Sequence, residues 1–267
     1  MKIILIGSGN LATHFAISLH KSGNEITQLK IGVSQIFSRS LENAKLLAQK
    51  TESTYTDDIS EINRDADLYI FSVKDDALPE ILAKMPKTTG VWAHTAGSVP
   101  MNIFSEYTDN YGVIYPLQTF SKNREIDFSE VPVFVEGSSS ETERVLETLA
   151  LQISENVQLL SSEKRKYLHL AAVFACNFTN HLYALSAEIV EKEGISFDVL
   201  KPLIVETAAK VMEMKPKEVQ TGPAVRFDEG VMNKQIDLLG DERLRDIYRL
   251  LSESIFNKPL PPAGYSP

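Results

Sequence analysis

The first twelve residues, MKIILIGSGNLA, constrain the fold of this chain more than any other stretch. Ile3–Ile6 is an apolar run of strand type, and Gly7-Ser8-Gly9-Asn10-Leu11-Ala12 follows it at once. Helical spacing of apolar residues (Leu11, Phe15, Ala16, Leu19) begins directly after that, and Ser22-Gly23 marks its end. Strand, glycine turn and helix start in that order read as the opening of a dinucleotide-binding βαβ unit. Gly7 permits the tight turn, and Gly9 lets backbone N–H groups approach a pyrophosphate. Ala12 takes the small third position that packs helix against strand. Ser8, Asn10 and Leu11 complete the turn, and the helix N-terminus offers free N–H groups and a positive dipole end to phosphate. The same composition also occurs in purely structural turns, so its placement at a strand-to-helix junction carries the assignment.

Beyond this unit, strand and helix patterns alternate. Strands are expected at Val33–Phe37, Thr54-Tyr55, Leu68–Val73, Gly90–His94, Tyr111–Tyr115, Val131–Val135 and Val157–Leu160. Helical stretches lie between them at Leu41–Gln49, Ile59–Arg64, Leu78–Met85 and Thr142–Gln152, while the connection Asn24–Gly32 has no assigned shape. Leu68–Val73 is a continuous apolar run of the kind used by strands buried on both faces. After Ser161 no strand pattern remains. Glu163–Glu193 reads as one long helix, with others at Phe197–Met214, Phe227–Leu239 and Glu242–Ile255 and a Pro-rich tail from Pro259. The expected class is therefore α/β: a doubly wound, parallel, Rossmann-type sheet over residues 1–161, followed by an all-helical domain over 162–267.

Charge and cysteine content narrow the function classes. A net charge of −9 argues against nucleic acid or an anionic membrane surface as partner. The single cysteine, Cys176, excludes an internal disulfide and fits a reducing compartment. The apolar run near the N-terminus is too short for a signal peptide, and Leu168–Val190 is interrupted by His169, Asn177, Asn180, His181 and Glu188. The expectation is a cytoplasmic protein without a membrane span. The long apolar helix exceeds what one small domain covers, so a homodimer that buries it is expected.

The end of the second strand distinguishes the two nicotinamide dinucleotides. A free ribose 2′-hydroxyl calls for Asp or Glu there, whereas a 2′-phosphate calls for a cation. The chain reads Phe37-Ser38-Arg39-Ser40, with no acid until Glu42. Arg39 can make a two-pronged, charge-assisted contact with phosphate, and the Ser38 and Ser40 hydroxyls add donors, so NADP(H) is the expected cofactor. A solvated surface arginine is the alternative. Two more loops, Ser72-Val73-Lys74-Asp75-Asp76 and His94-Thr95-Ala96-Gly97-Ser98, sit where open α/β sheets bind ligands, at carboxyl ends of strands. Asp75 and Asp76 could equally cap the helix from Leu78.

Hydride transfer needs a proton donor or acceptor beside the reacting carbon. On an ideal helix at ~100° per residue, His169, Cys176 and Asn180 fall within about 40° of one another, with Asn177 and His181 on the adjoining flank. Polar residues in so apolar a helix either line a cavity or bond across an interface. His169 is the first candidate acid/base, because an ordinary imidazole titrates near neutrality. Asn177 or Asn180 would orient the substrate, and His94 is the rival acid/base. Arg226, in the loop Thr221–Arg226, could clamp a substrate carboxylate or pair with Asp228. No ligand spacing suggests a metal.

Six motifs together carry a family resemblance: Gly7–Ala12, Ser38–Ser40, Ser72–Asp76, His94–Ser98, Tyr115-Pro116-Leu117-Gln118-Thr119-Phe120 and Thr221–Asp228. In order along nearly the whole chain, they resemble an NADP-oxidoreductase-like family with a Rossmann-like half and a helical C-terminal domain of unknown function. That family is related in design to pyrroline-5-carboxylate reductases, β-hydroxyacid dehydrogenases and deazaflavin-dependent NADP oxidoreductases. The resemblance implies an NADP-dependent oxidoreductase acting on a small polar metabolite between the two domains. It also implies that Ser72–Asp75 passes beside the adenosine ribose and pyrophosphate, and that His94–Gly97 nears the nicotinamide. The β-hydroxyacid dehydrogenases carry a catalytic Lys four residues before an Asn on the equivalent helix. Here Val173 and Cys176 stand four before Asn177 and Asn180. The missing lysine leaves room for a non-catalytic NADP-binding sensor or scaffold.

Overall fold

A computed structural model describes residues 1–25 and 31–256. The connection Asn24–Gly32 falls largely on residues 26–30, outside the described residues, as does the tail from Pro259. The chain divides into two compact units, Met1–Leu182 and Tyr183–Pro267.

In the first unit, β1 (Lys2–Ile6), β2 (Gly32–Phe37), β3 (Thr54–Thr56), β4 (Leu68–Phe71), β5 (Val91–His94), β6 (Tyr111–Pro116), β7 (Val133–Gly137) and β8 (Val157–Leu159) form one sheet. Among the described residues its order is β3-β2-β1-β4-β5-β6-β7-β8. The first six strands are parallel, in the order of a dinucleotide-binding sheet. β7 departs from the expected parallel arrangement. It runs antiparallel to β6, pairing Tyr115 with Phe134 and Val113 with Glu136, and β8 is parallel to β7. The connection from Leu117 to Pro132 holds only a short 3₁₀ turn, Phe128–Glu130, so no crossover helix returns the chain to the far edge of the sheet.

Alternation along β1 shows how the sheet is covered on both faces. Ile3 and Leu5 join a core with α1 (Asn10–Glu25), α2 (Leu41–Thr51) and α4 (Ser140–Ala150), built from Phe15, Leu19, Leu47, Leu146 and Leu149. Ile4 and Ile6 join the opposite core with α3 (Leu78–Lys84), where Tyr69, Phe71, Leu82, Trp92 and Phe104 pack together. In α2, Ala44, Leu47, Ala48 and Thr51 are buried, while Leu41 in the first turn is exposed.

The helix expected at Glu163–Glu193 is present with a defect in its middle. α5 (Ser162–Ala172) passes into a π-helical turn, Val173–Phe178, and then into α6 (Thr179–Lys192). The Thr179 hydroxyl donates to the Phe174 carbonyl at 3.0 Å, satisfying an oxygen inside the widened turn. The division between the units falls inside α6. In the second unit, α7 (Lys201–Glu213), α8 (Glu229–Leu238) and α9 (Glu242–Phe256) follow. Met232 and Ile236 are buried there, and Phe227 stacks on Phe256 at 4.4 Å. No helix among the described residues is long and apolar enough to cross a membrane.

Arg165 fastens α5 to the sheet. Its side chain is 1% exposed. Nη1 donates to Glu136 Oε2 at 2.7 Å, and Nη2 donates to the Val99 carbonyl at 2.5 Å. Ser162 Oγ donates to the same carboxylate and accepts from the Met101 N–H. One guanidinium thereby joins α5, β7 and the loop after β5. Removing it would strand the Glu136 carboxylate. Arg165→Met is expected to lower the unfolding free energy by about 3 kcal/mol, the scale of breaking a buried ion pair, as measured by urea denaturation; a loss under a third of that would show the network to be dispensable.

Candidate functional site

Strand register sets out the site. Ile6 pairs with Phe37 and Phe71, and Phe71 pairs with His94. The next residue after each of these, Gly7, Ser38, Ser72 and Thr95, therefore lies along the carboxyl edge of the sheet. Thr95 donates through its hydroxyl to Ser72 Oγ at 3.2 Å, and Ser8 donates to Ser38 Oγ at 2.8 Å, so neighbouring loops are joined side by side. They surround a cavity of about 740 Å³.

Glycine is required at the centre of this edge. Gly7 has φ +126°, and a Cβ there would sit 2.1 Å from the Ser72 carbonyl oxygen. Gly9 also lines the cavity, yet a Cβ there would meet no protein atom within 4 Å, so the backbone beside it is open to a ligand. The first turn of α1 stands next to that opening with its free N–H groups. These features fit a pyrophosphate. At the end of β2, Arg39 is exposed, and among the described residues no hydrogen bond or ion pair holds its guanidinium. Ser40 Oγ accepts from the Asn43 N–H as the N-cap of α2, and Ser38 Oγ accepts from the Ser40 N–H. The hydroxyls flanking Arg39 are thus fixed in place at a second helix N-terminus. The set suits a ribose 2′-phosphate.

The cavity gathers most of the expected residues: Gly7–Leu11, Ser38–Ser40, Ser72–Asp75, Thr95–Gly97 and His169. Asp75 accepts a short hydrogen bond from the Ser98 hydroxyl. Neither it nor Asp76 caps α3, whose N-cap position is Ala77.

His169 reaches the cavity from α5, one turn beyond Arg165. Its Nδ1 lies 2.9 Å from the Tyr115 hydroxyl. The rings meet edge to face, with centroids 6.0 Å apart. Gly97 lies against the same imidazole: a Cβ at 97 would fall 2.5 Å from its Cγ and Nδ1. Burial pushes the Tyr115 phenol up to about 12 despite the opposing charge of Arg165, so it stays un-ionised at neutral pH.

The remaining expected residues lie elsewhere. His94 is 1% exposed and does not line the cavity. Its Nδ1 accepts from the Ala96 N–H at 3.2 Å, while among the described residues Nε2 has no hydrogen-bond partner. Burial, reinforced by the Arg165 charge, drives its imidazole down to about 3, so His94 is a neutral interior ring. Asn177, in the π turn, and Asn180, at the start of α6, are exposed and outside the cavity lining. The single extra residue of a π turn rotates the downstream side chains by roughly 100°, which cancels the shared face drawn on an ideal helix. Arg226 is exposed in a 3₁₀ turn of the second unit, Ala224–Arg226. Asp228 instead caps α8 by accepting from the Val231 N–H, with no ion pair to Arg226.

Several lining residues had no individual assignment in the sequence. Tyr115, Pro116, Gln118, Phe120 and Lys122 come from β6 and the loop behind it. The Asn10 side-chain amide donates to the Phe120 carbonyl at 2.9 Å, and His14 Nε2 meets the Ser121 carbonyl at 2.9 Å, so this loop is tied to α1. The Tyr115–Phe120 motif was the available signal, though nothing in it singled out the tyrosine.

Residues 2–92 match the family profile described as NADP oxidoreductase, coenzyme F420-dependent. Residues 131–255 match a domain of unknown function (DUF2520). A solved Bacteroides fragilis protein, named as a candidate NADP oxidoreductase, is 46% identical. That match covers 96% of this chain and 98% of the other, with a TM-score of 0.87. The chain belongs to this family of NADP oxidoreductases. Its reaction class is therefore oxidoreduction, and its cofactor is NADP(H). A Thermotoga maritima protein shares the fold at 23% identity, over 95% of this chain and 99% of its own, with a TM-score of 0.76. An imine reductase from Myxococcus stipitatus, solved with NADP⁺, shares it at 14% identity, over 96% and 92%, with a TM-score of 0.66. No curated protein matches the chain.

Arg39→Ala is expected to weaken NADPH binding by about 1.5–3 kcal/mol, the scale of a charged hydrogen bond, and to leave NADH binding nearly unchanged. Calorimetry with both cofactors checks this; equal losses would remove Arg39 from the 2′-phosphate.

Proposed function

We propose that this NADP oxidoreductase is an NADPH-dependent reductase of a carbonyl or imine in a small polar metabolite, with His169 as its acid/base. The observation that carries the reading is the imidazole of His169 in the same cavity as the glycine turn, held through Nδ1 by Tyr115. The cofactor would be held by Gly7–Leu11 at the pyrophosphate, by Ser38–Ser40 at the 2′-phosphate, and by Ser72–Asp75 and Thr95–Gly97 along its length. When bound, it supplies a hydride to the carbon of the C=O or C=N bond. His169 gives a proton from Nε2 to the oxygen or nitrogen as the double bond is consumed, and the ring returns to neutrality. Water then restores the proton. Running the other way, neutral His169 accepts the proton of an alcohol or amine. His94, neutral and sealed off by packing, serves the loop after β5 as structure.

Panels of keto acids, keto esters and cyclic imines, followed by the absorbance of NADPH, test the activity. His169→Gln is expected to lower turnover on the order of 10²- to 10⁴-fold, the usual contribution of a positioned general acid, with NADPH still bound. Tight NADPH binding without turnover on any panel member, unchanged by His169→Gln, would instead make the protein a cofactor sensor.

We also infer that the working form is a homodimer in a reducing, cytoplasmic setting, where the exposed thiol of Cys176 stays free. α6 and α7 bury no residue in the single chain. Phe174 is 63% exposed, Val205 68% and Met212 84%. Side chains of this size are covered in a stable protein when they lie in patches. Light scattering at micromolar concentration should give twice the chain mass of 29.8 kDa; a monomer would overturn the inference.

A further inference from the structure

We propose that Tyr115 is the positioning residue of the site: its hydroxyl keeps Nε2 of His169 turned to the cavity ligand in both charge states of the ring, and Gly97 provides the gap that admits the ring. This rests on His169 being the acid/base and deepens that reading.

Three independent contacts fix the imidazole. Along the helix, Arg165 anchors α5 one turn earlier through Glu136 and the Val99 carbonyl. Against one side of the ring lies Gly97, where even a methyl group would come within 2.5 Å of Cγ and Nδ1. At Nδ1 itself stands the Tyr115 hydroxyl, 2.9 Å away. Without that hydroxyl, a half-turn about the Cβ–Cγ bond would exchange Nδ1 for Cδ2 and aim carbon where a nitrogen is needed.

The chemistry of a phenol suits both states of the ring. Tyr115 is buried, and its oxygen accepts from Nδ1–H when the ring is neutral, which leaves Nε2 bare and turned to the cavity. Bare Nε2 can then accept the proton of an alcohol or amine, as the reverse reaction requires. When the ring is charged, Nδ1–H keeps the same bond to the phenol oxygen, and the Nε2 proton is the one released. A carboxylate in this place would hold the imidazolium through an ion pair and oppose that release. The phenol remains un-ionised and imposes orientation without trapping charge. The same logic makes the glycine specific: a larger residue at 97 would push the ring away from Tyr115 while leaving both partners chemically intact.

The test uses the full chain labelled with ¹⁵N-histidine, the His169 signals being assigned by their loss in His169→Gln. In its neutral form, His169 should show a single tautomer, Nδ1–H with a bare Nε2. Tyr115→Phe should move both ring-nitrogen shifts toward tautomer-averaged values. Gly97→Ala should do the same with Tyr115 present, and it carries the test alone if Tyr115→Phe does not fold. Where a substrate is turned over, Tyr115→Phe should lower kcat on the order of 10- to 100-fold, the scale of misplacing a reacting group by about an ångström, with a smaller change in KM. Ring-nitrogen shifts identical to those of the parent in the variants that fold would overturn the role of Tyr115. Full turnover by His169→Gln would overturn the acid/base reading while the spectroscopic result stood, so the two failures are distinguishable.

Discussion

Arg165 is the fixed point from which the chemical end of this protein is built. An arginine 1% exposed is costly to bury, and it persists because its two terminal nitrogens and the neighbouring Ser162 hydroxyl bind three otherwise separate pieces of chain. The carboxylate it meets belongs to β7, the strand that reverses direction, and the carbonyl belongs to the loop leaving β5. α5 is thereby set against the sheet edge at one height and one rotation. His169, four residues later on the same face, inherits both. The charge also reaches two other titrating groups, pulling the Tyr115 phenol down against its burial and pressing the His94 imidazole further toward neutrality.

The contrast between the two histidines shows how environment divides labour between identical side chains. His94 ends a central strand and packs against Phe104, with its imidazole held near 3 and outside the cavity lining. His169 stands at a cavity wall with one nitrogen engaged and the other available. The sequence ranked His169 first and kept His94 as its rival. A histidine closing a strand at the carboxyl edge is a natural candidate for chemistry, and only the packing of Phe104 and the loop after β5 removes it from the site.

The parts of the molecule governed by local rules were legible in the sequence. Alternation in Ile3–Ile6, the glycines after it, and polar residues closing β2, β4 and β5 placed the cavity edge because each is a short-range signal. Arg39 was found at the cavity edge for the same reason, because it closely follows a strand whose apolar pattern is local. What escaped depends on contacts distant in sequence. The reversal of β7 is set by a connection that lacks a crossover helix, while its apolar pattern is the same in either direction. Tyr115 and His169 are 54 residues apart and become partners only when β6 and α5 are brought together. His169, Cys176 and Asn180 were placed on a shared face, with Asn177 on the adjoining flank, by assuming an uninterrupted helix, which the widened turn at Val173–Phe178 breaks.

That turn also bears on how residue roles transfer among proteins of this architecture. A π turn is an α-helix with one residue too many, accommodated without ending the helix. Two homologous helices of equal length, one with the extra residue and one without, therefore present different side chains at the same point in space. Aligning them letter by letter assigns equivalence on one side of the turn and displaces it on the other. Wherever a related helix lacks the extra residue, side chains beyond Phe178 are matched by position in space rather than by letter.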